Sequence, residues 1–232
     1  MNSLVLGYGL LGNEIVKQTN WDYISREKDN FDFRFLESYY KLLYDYDTII
    51  NCVGNTDTYC EDKSQMIFTN YYSVCILADY CNLTGKKLIH ISSDYVYSNS
   101  VEFAKETDIP IHNNTWYSYS KLLADEYIEF KSKEFLIVRT SFKPKPFPYE
   151  RAITCQYGNF DYVDVIAELI IKLIKDKANG IFNVGTEPKT IFELARQTNK
   201  NVIPCDSPVN INMPTNITMD LSKMKGFLKD HE

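Results

Sequence analysis

The stretch Ser3-Leu4-Val5-Leu6-Gly7-Tyr8-Gly9-Leu10-Leu11-Gly12 decides the fold. Ser3–Leu6 is short and apolar, as a strand buried on both faces must be. Residues from Leu10 to Thr19 read as a helix. Between them three glycines form G-x-G-x-x-G, in the strand–turn–helix setting that gives the pattern its meaning. Gly7 permits a tight turn, Gly9 lets the backbone approach a pyrophosphate, and Gly12 lets helix and strand pack closely. The unpaired N–H groups of the helix's first turn then face phosphate charge. A glycine-rich turn alone says little. As the first βα turn of an alternating chain, it predicts dinucleotide contacts from Gly7, Tyr8, Gly9, Leu10, Leu11 and Gly12.

The alternation continues outward. Asp22–Ser25 reads as a second strand and Thr48–Asn51 as a third. From about Asp62 to Leu83, Ile67, Tyr71, Val74, Ala78 and Cys81 recur at helical spacing, and Gly85 ends the helix. Leu88–Ile91 and Phe135–Val138 are strands, with a helix from Trp116 to Phe130 between them. Asp161 to Lys177 is a helix whose polar stripe (Asp164, Glu168, Lys172, Lys175) is narrow, so most of it is buried. Ile181–Val184 is a last strand, before a helix near Thr190 to Gln197. Strands that alternate with helices predict an α/β fold, a doubly wound parallel sheet with helices on both faces. Residues 142–160 hold Pro144, Pro146 and Pro148, and the tail from Asn201 holds Pro204, Pro208 and Pro214, which marks both as irregular.

Composition removes several classes of function. The 232 residues are 44% hydrophobic and 24% charged, an ordinary globular balance that excludes disorder. With 25 basic and 31 acidic residues the net charge is -6, which argues against a nucleic-acid groove. No apolar run approaches the roughly 20 residues of a membrane span. The opening MNSLVLGYGLLG lacks a basic n-region and a cleavage site, so a cytoplasmic protein is expected. Cys52, Cys60, Cys75, Cys81, Cys155 and Cys205 form no CxxC pair and read as free thiols. His90, His112 and His231 are too few and too scattered for zinc, and no metal site is expected. Sequons at Asn82, Asn113 and Asn216 mean nothing without export. The abundance of tyrosine, 18 residues, is read as codon bias.

Further constellations carry chemistry. The second strand ends Tyr23-Ile24-Ser25-Arg26, where an NAD site usually places a carboxylate. Ser25 and Arg26 suit a 2′-phosphate instead, although Glu27 follows; NADPH is expected, with NADH as the lesser option. In Tyr117-Ser118-Tyr119-Ser120-Lys121 the tyrosine and lysine share a helix face. A neighbouring ammonium is expected to stabilise the phenolate and draw the tyrosine pKa toward neutrality. Upstream, His90-Ile91-Ser92-Ser93-Asp94-Tyr95-Val96-Tyr97 brings a serine pair to the C-terminal end of a strand, where open α/β sheets bind ligands.

With these residues in place, the chain resembles an extended short-chain dehydrogenase/reductase, and most of all the dTDP-4-dehydrorhamnose reductase family with its sugar-nucleotide-binding relatives. The resemblance follows chain order through the glycine loop, Asn51-Cys52-Val53-Gly54, Asn70, Ser92 to Tyr97, Tyr117 and Lys121, Arg139-Thr140-Ser141, Tyr162 to Val165, and Gly180 to Gly185. It implies a Rossmann-like NAD(P)-binding core over residues 1–140, rejoined by about 161–186, and a small C-terminal substrate lobe from 141–160 and 187–232. It implies a cytoplasmic NADPH-dependent oxidoreductase of nucleotide-sugar biosynthesis, of the dTDP-rhamnose kind, which reduces a 4-keto-6-deoxy nucleotide sugar.

By position, the resemblance makes Ser93, Tyr117 and Lys121 the catalytic group. It assigns Cys52, Val53, Gly54 and Asn70 to the cofactor, together with Tyr117 and Lys121. It places Asn55, Asp94, Tyr95 and Phe142 on the substrate side, Phe142 near the nicotinamide. A nucleotide-sugar partner is expected, a homodimer is allowed, and nucleic acid and membrane are not expected. Three departures stand out. The glycine loop is one residue shorter than the family's usual GxxGxxG, an alanine-rich strand end is replaced by Cys52-Val53-Gly54, and the C-terminal lobe is short. A 4-epimerase with the same three residues is the nearest alternative. A non-catalytic dinucleotide-binding regulatory subunit, like that of methionine adenosyltransferase, is the alternative from another class. A 4,6-dehydratase is disfavoured, because Tyr95 stands where that branch carries a glutamate.

Overall fold

The structure, a computed structural model, describes residues 2–59, 62–98, 100–108, 115–206 and 213–231. Cys60, His112, Asn113 and Pro208 lie outside the described residues. Six short strands form the central sheet: β1 (Ser3–Leu6), β2 (Asp22–Ile24), β3 (Thr48–Asn51), β4 (Lys87–Ile91), β5 (Phe135–Arg139) and β6 (Gly180–Asn183). Their order is β6-β5-β4-β3-β1-β2 and every pairing is parallel. The winding reverses between β1 and β3, which are neighbours. That switch point opens a crevice beyond the C-terminal ends of both strands.

Alternate strand residues go to opposite faces, and both faces are apolar, as parallel sheets require. Val5, Ile50, Ile89, Leu136 and Val138 pack against α1 (Leu10–Thr19), α5 (Val163–Lys175) and α7 (Ser222–Lys229), which contribute Ile15, Ile170 and Met224. Leu4, Leu6, Ile49, Leu88 and Ile137 pack under α3 (Ser73–Thr84) and α4 (Trp116–Lys131), through Leu77, Ala78, Ala124 and Ile128. A third cluster joins Phe147, Ala152, Phe160 and Tyr162 to Ile191, Leu194 and Ala195 of α6 (Ile191–Thr198).

The predicted helix over 62–83 is broken. α2 (Lys63–Ile67) passes into a π-helical turn, Phe68–Tyr72, before α3 begins. π-turns of this kind are frequent at functional sites. Here the turn carries buried Asn70, whose Oδ1 accepts from the Asn55 N–H at 2.7 Å while its Nδ2 donates to the Asn55 carbonyl at 3.0 Å. The loop after β3 is thereby clamped through its backbone.

Other boundaries shift by small amounts. The helix expected from Asp161 starts at Val163, because Asp161–Tyr162 pairs in parallel with Phe142–Lys143. The tail from Asn201 is more regular than its prolines suggest. Ile203–Cys205 pairs with Arg151–Ile153, Asn216–Ile217 pairs with Tyr157–Gly158, and α7 returns to the main sheet through Leu221 and Met224.

Candidate active site

Two loops face each other across the switch point. After β1, Gly7 adopts φ +89°, a conformation that side chains disfavour, and a Cβ there would sit 3.0 Å from Val53 Cγ2. A Cβ on Gly12 would meet the Gly7 carbonyl oxygen at 2.1 Å, so only glycine lets α1 start against this turn. Gly9 differs: nothing lies within 4 Å of its Cβ direction. Gly9 also caps α1 without a side-chain hydrogen bond, and no acidic residue stands in the first turn. The free N–H groups and the open space above Gly9 fit the pyrophosphate of a dinucleotide. Leu10 is exposed and Leu11 is buried in the core, so these two frame the loop.

At the far side of this loop, Tyr8 stacks on Tyr23 with ring centroids 4.0 Å apart, and Lys28 Nζ sits 4.5 Å from the Tyr23 centroid. Ser25 is buried and caps the turn Arg26–Asp29: its Oγ accepts from the Lys28 N–H at 3.1 Å. Its own N–H donates to Asp29 at 2.9 Å. Ser25 therefore shapes the strand end, and exposed Arg26 is the freer of the two groups toward a phosphate.

The second half of the site lies beyond β4. Ser93 Oγ accepts from the Tyr95 N–H at 3.2 Å, capping the turn Asp94–Tyr97, and donates to Asp94 Oδ1 at 3.3 Å. Tyr117, in the first turn of α4, stands edge-on to Tyr95 at 6.1 Å. Burial pushes the Tyr117 phenol up to about 12, against the opposing pull of the Ser93 hydroxyl beside it. One turn on, buried Lys121 donates from Nζ to the Ile91 carbonyl at 2.6 Å and lies 3.4 Å from His90 Nε2. Burial lowers Lys121 to about 8.

This corrects one expectation. The phenol is not drawn toward neutrality by the ammonium, because Lys121 is turned to Ile91 and His90 and burial dominates at Tyr117. Tyr117 is a protonated acid across the neutral range.

The serine pair separates. Ser93 faces the site, whereas Ser92 Oγ donates to Asp125 Oδ2 at 2.9 Å inside the core. Asp94 is buried, one of its carboxylate oxygens has no hydrogen-bond partner, and burial raises it to about 7. Tyr95 receives a hydrogen bond from Gln156 Nε2 at 3.0 Å and lies 3.4 Å from the Tyr59 hydroxyl. Phe142 is half-buried against the core just beyond β5.

The structure thus gathers Ser93, Asp94, Tyr95, Tyr117 and Lys121. It brings Cys52 and Val53 to the glycine loop, sets Gly54 beside Asn70, and makes Asn70 act on Asn55 rather than face the crevice directly. Burial pushes the Cys52 thiol up to about 12, so it is not a nucleophile. Among the described residues no cluster of metal-ligand side chains occurs, and Cys52, Cys75, Cys81, Cys155 and Cys205 are unpaired.

Sequence reasoning missed Lys143, Asn51, His90 and Asp125 as parts of this neighbourhood. Lys143 is half-buried opposite Asp94, whose charge supports the ammonium against burial. The cation in the Phe142-Lys143 strand was visible, but nothing local tied it to Asp94, 49 positions away by numbering (143 − 94).

Comparison with known proteins places this geometry. The sequence profile of the RmlD substrate binding domain matches residues 1–143. The spore coat polysaccharide biosynthesis protein SpsK of Bacillus subtilis (strain 168) is 29% identical over 161 residues, which are 61% of this chain and 56% of that protein. The match thus spans little more than half of the curated relative's length. The structure of dTDP-4-dehydrorhamnose reductase from Bacillus anthracis str. Ames in complex with NADP superposes with a TM-score of 0.82 at 20% identity, covering 97% of this chain and 91% of that one. UDP-glucose 4-epimerase of Thermotoga maritima with UDP-glucose gives 0.76 at 16% identity, covering 97% and 91%. Likeness at these identities establishes a shared fold. No described helix is long and apolar enough to cross a membrane.

Proposed function

Because the chain belongs to the RmlD substrate binding domain family, we propose that it is a nicotinamide-dinucleotide-dependent oxidoreductase that reduces a 4-keto-6-deoxy nucleotide sugar, with NADPH preferred. The observation that carries this reading is the placement of Ser93, Tyr117 and Lys121 beside the strand ends that hold the uncapped glycine loop.

NADPH, when bound, supplies the hydride for the C4 carbonyl. Ser93 holds the carbonyl oxygen by donating its hydroxyl, which costs only the 3.3 Å bond to Asp94. Tyr117 gives its phenolic proton to the developing alkoxide, and its raised pKa keeps that proton in place at neutral pH. Lys121 keeps the Tyr117 helix turn anchored to β4 through Ile91, and a remaining N–H would serve the ribose side of the cofactor. The loop of Gly7, Gly9 and Gly12 would hold the pyrophosphate, and Arg26 would hold the 2′-phosphate. Residues 141–160 and the described residues from 187 onward, with Gln156 holding Tyr95, would form the sugar side.

Tyr95 supports reductase over dehydratase. Burial raises its phenol further, so it cannot take a sugar proton as a carboxylate would. The epimerase reading rests on the shared fold and the same three residues. Incubation with NADPH and a panel of dTDP-, UDP- and GDP-linked 4-keto-6-deoxy sugars decides between them. Stoichiometric NADPH oxidation with a reduced sugar supports reductase. Interconversion of 4-hydroxy sugars without net cofactor use supports epimerase, and dinucleotide binding without turnover supports a regulatory subunit.

A further inference from the structure

The surroundings of Lys121 allow a tautomer to be assigned from the backbone outward. Asn51 Oδ1 accepts from the Val53 N–H at 3.1 Å, which fixes the orientation of its amide. Asn51 Nδ2 therefore faces His90 Nδ1, at 3.2 Å, and donates to it. His90 is wholly buried and remains neutral, because burial and the adjacent Lys121 both oppose its charged form. A neutral imidazole that accepts at Nδ1 carries its proton on Nε2. That N–H points at Lys121 Nζ, 3.4 Å away.

We infer that Asn51 and His90 are positioning residues for Lys121: Asn51 locks His90 as the Nε2–H tautomer, and that N–H favours the free amine of Lys121, whose lone pair can accept it, over the ammonium. The other groups around Lys121 are accounted for. The Ile91 carbonyl accepts at 2.6 Å and is compatible with amine or ammonium. Asp125, one turn along α4, favours the ammonium, but its charge is shared with Arg139 at 2.9 Å. Cys52, at the end of β3, is a protonated thiol, and Tyr117 on the same helix is a neutral phenol. His90 is the neighbour that offers a donor where a buried ammonium needs an acceptor. The consequence is a lysine that gains and loses its proton near neutral pH while its remaining N–H groups stay directed. The functional part of this inference rests on the proposed reductase reading, but the tautomer and the ionisation of Lys121 do not.

The test uses Asn51→Asp, which keeps the acceptor for Val53 and replaces the donor to His90 by an acceptor. The imidazole proton should move to Nδ1, leaving Nε2 to accept from Lys121. Nitrogen-15 NMR of the unliganded wild type should show His90 as the Nε2–H tautomer, and Asn51→Asp should show Nδ1–H. The Lys121 pKa, followed by NMR of labelled lysine, should rise by about one unit or more, of the order expected when a donor becomes an acceptor beside a charge. In a His90→Leu background, Asn51→Asp keeps only the through-space attraction of its new carboxylate and should move it less. In the active enzyme, the pH limb of kcat/KM assigned to Lys121 should move the same way. A wild-type His90 protonated on Nδ1 overturns the inference even where the variant does not fold. A Lys121 pKa that stays put or falls when the proton moves also overturns it. If the NMR results hold but no nucleotide sugar is reduced, the reductase reading falls and the lock stands.

Discussion

Arg139 donates from Nε to Asp125 Oδ2 at 2.9 Å with both side chains almost wholly out of water, and this pair ties β5 to the helix that carries Tyr117 and Lys121. Ser92 donates to the same carboxylate oxygen, and Arg139 Nη1 donates to the Tyr97 hydroxyl at 2.7 Å. Tyr97 in turn donates to Asn183 on β6 at 2.9 Å. One network therefore fixes the helix of Tyr117 and Lys121 against three neighbouring strand ends. Removing a single partner of a buried pair leaves an uncompensated charge, which costs about 3–5 kcal/mol. Asp125→Ala should lose stability of that size in urea unfolding. Asp125→Asn, which retains an acceptor for Ser92 and Arg139, should lose less.

The glycine loop makes two opposite predictions. Gly12→Ala forces a methyl against the Gly7 carbonyl, so both Tm and dinucleotide affinity should fall. Gly9→Ala meets no protein atom within 4 Å and should leave Tm nearly unchanged. Its methyl would enter the open space proposed for the cofactor's phosphate, so dinucleotide affinity should fall alone. Thermal unfolding with and without NADPH separates the two variants.

Arg26→Ala addresses cofactor choice. Loss of one charge-assisted contact should weaken NADPH binding by about 1–3 kcal/mol. NADH binding should hardly change. Fluorescence titration with both cofactors measures this, and equal weakening would remove Arg26 as the phosphate ligand.

Asp94 predicts a pH dependence of stability. Burial raises its carboxyl to about 7 in the folded chain, from the ordinary 3.8. The folded state therefore holds this proton more tightly than the unfolded state does. Stability from that difference is complete below the unfolded pKa and is lost as pH rises through the folded one. Asp94→Asn cannot ionise, so its Tm relative to wild type should improve between about pH 4 and about pH 7 and level off above that. A Tm difference that does not vary with pH would show that Asp94 is already charged in the acid range.

Much of the fold was legible because burial on both faces writes itself into short apolar strands such as Thr48–Asn51, and because Gly7, Gly9 and Gly12 mark the first crossover. Residues 26–46 carried no periodic signal. They form single turns and a 3-10 segment, Phe33–Tyr39, that bury Phe31, Phe33, Leu36 and Leu43 without helical spacing. The π-turn at Phe68–Tyr72 was hidden because one extra residue per turn hardly disturbs an apolar pattern. Ser93, Tyr117 and Lys121 were readable as a pattern along the chain. Their surroundings were not: Asn51 and His90 meet across adjacent strands, and Asp125 meets Arg139 across a helix–strand contact. The ionisation of Tyr117 was misread for the same reason, since the direction in which Lys121 points is a tertiary fact.

The most direct measurement is the rate of NADPH-dependent reduction by wild type and Tyr117→Phe, on whichever 4-keto-6-deoxy nucleotide sugar the panel identifies, alongside NADPH affinity. The substitution removes one oxygen and the acid that serves the alkoxide. General acid catalysis contributes about 10²–10⁴-fold, so turnover should fall by that factor while fold and NADPH affinity hold. A wild type that binds NADPH but reduces none of the sugars, with Tyr117→Phe indistinguishable from it, would contradict the account.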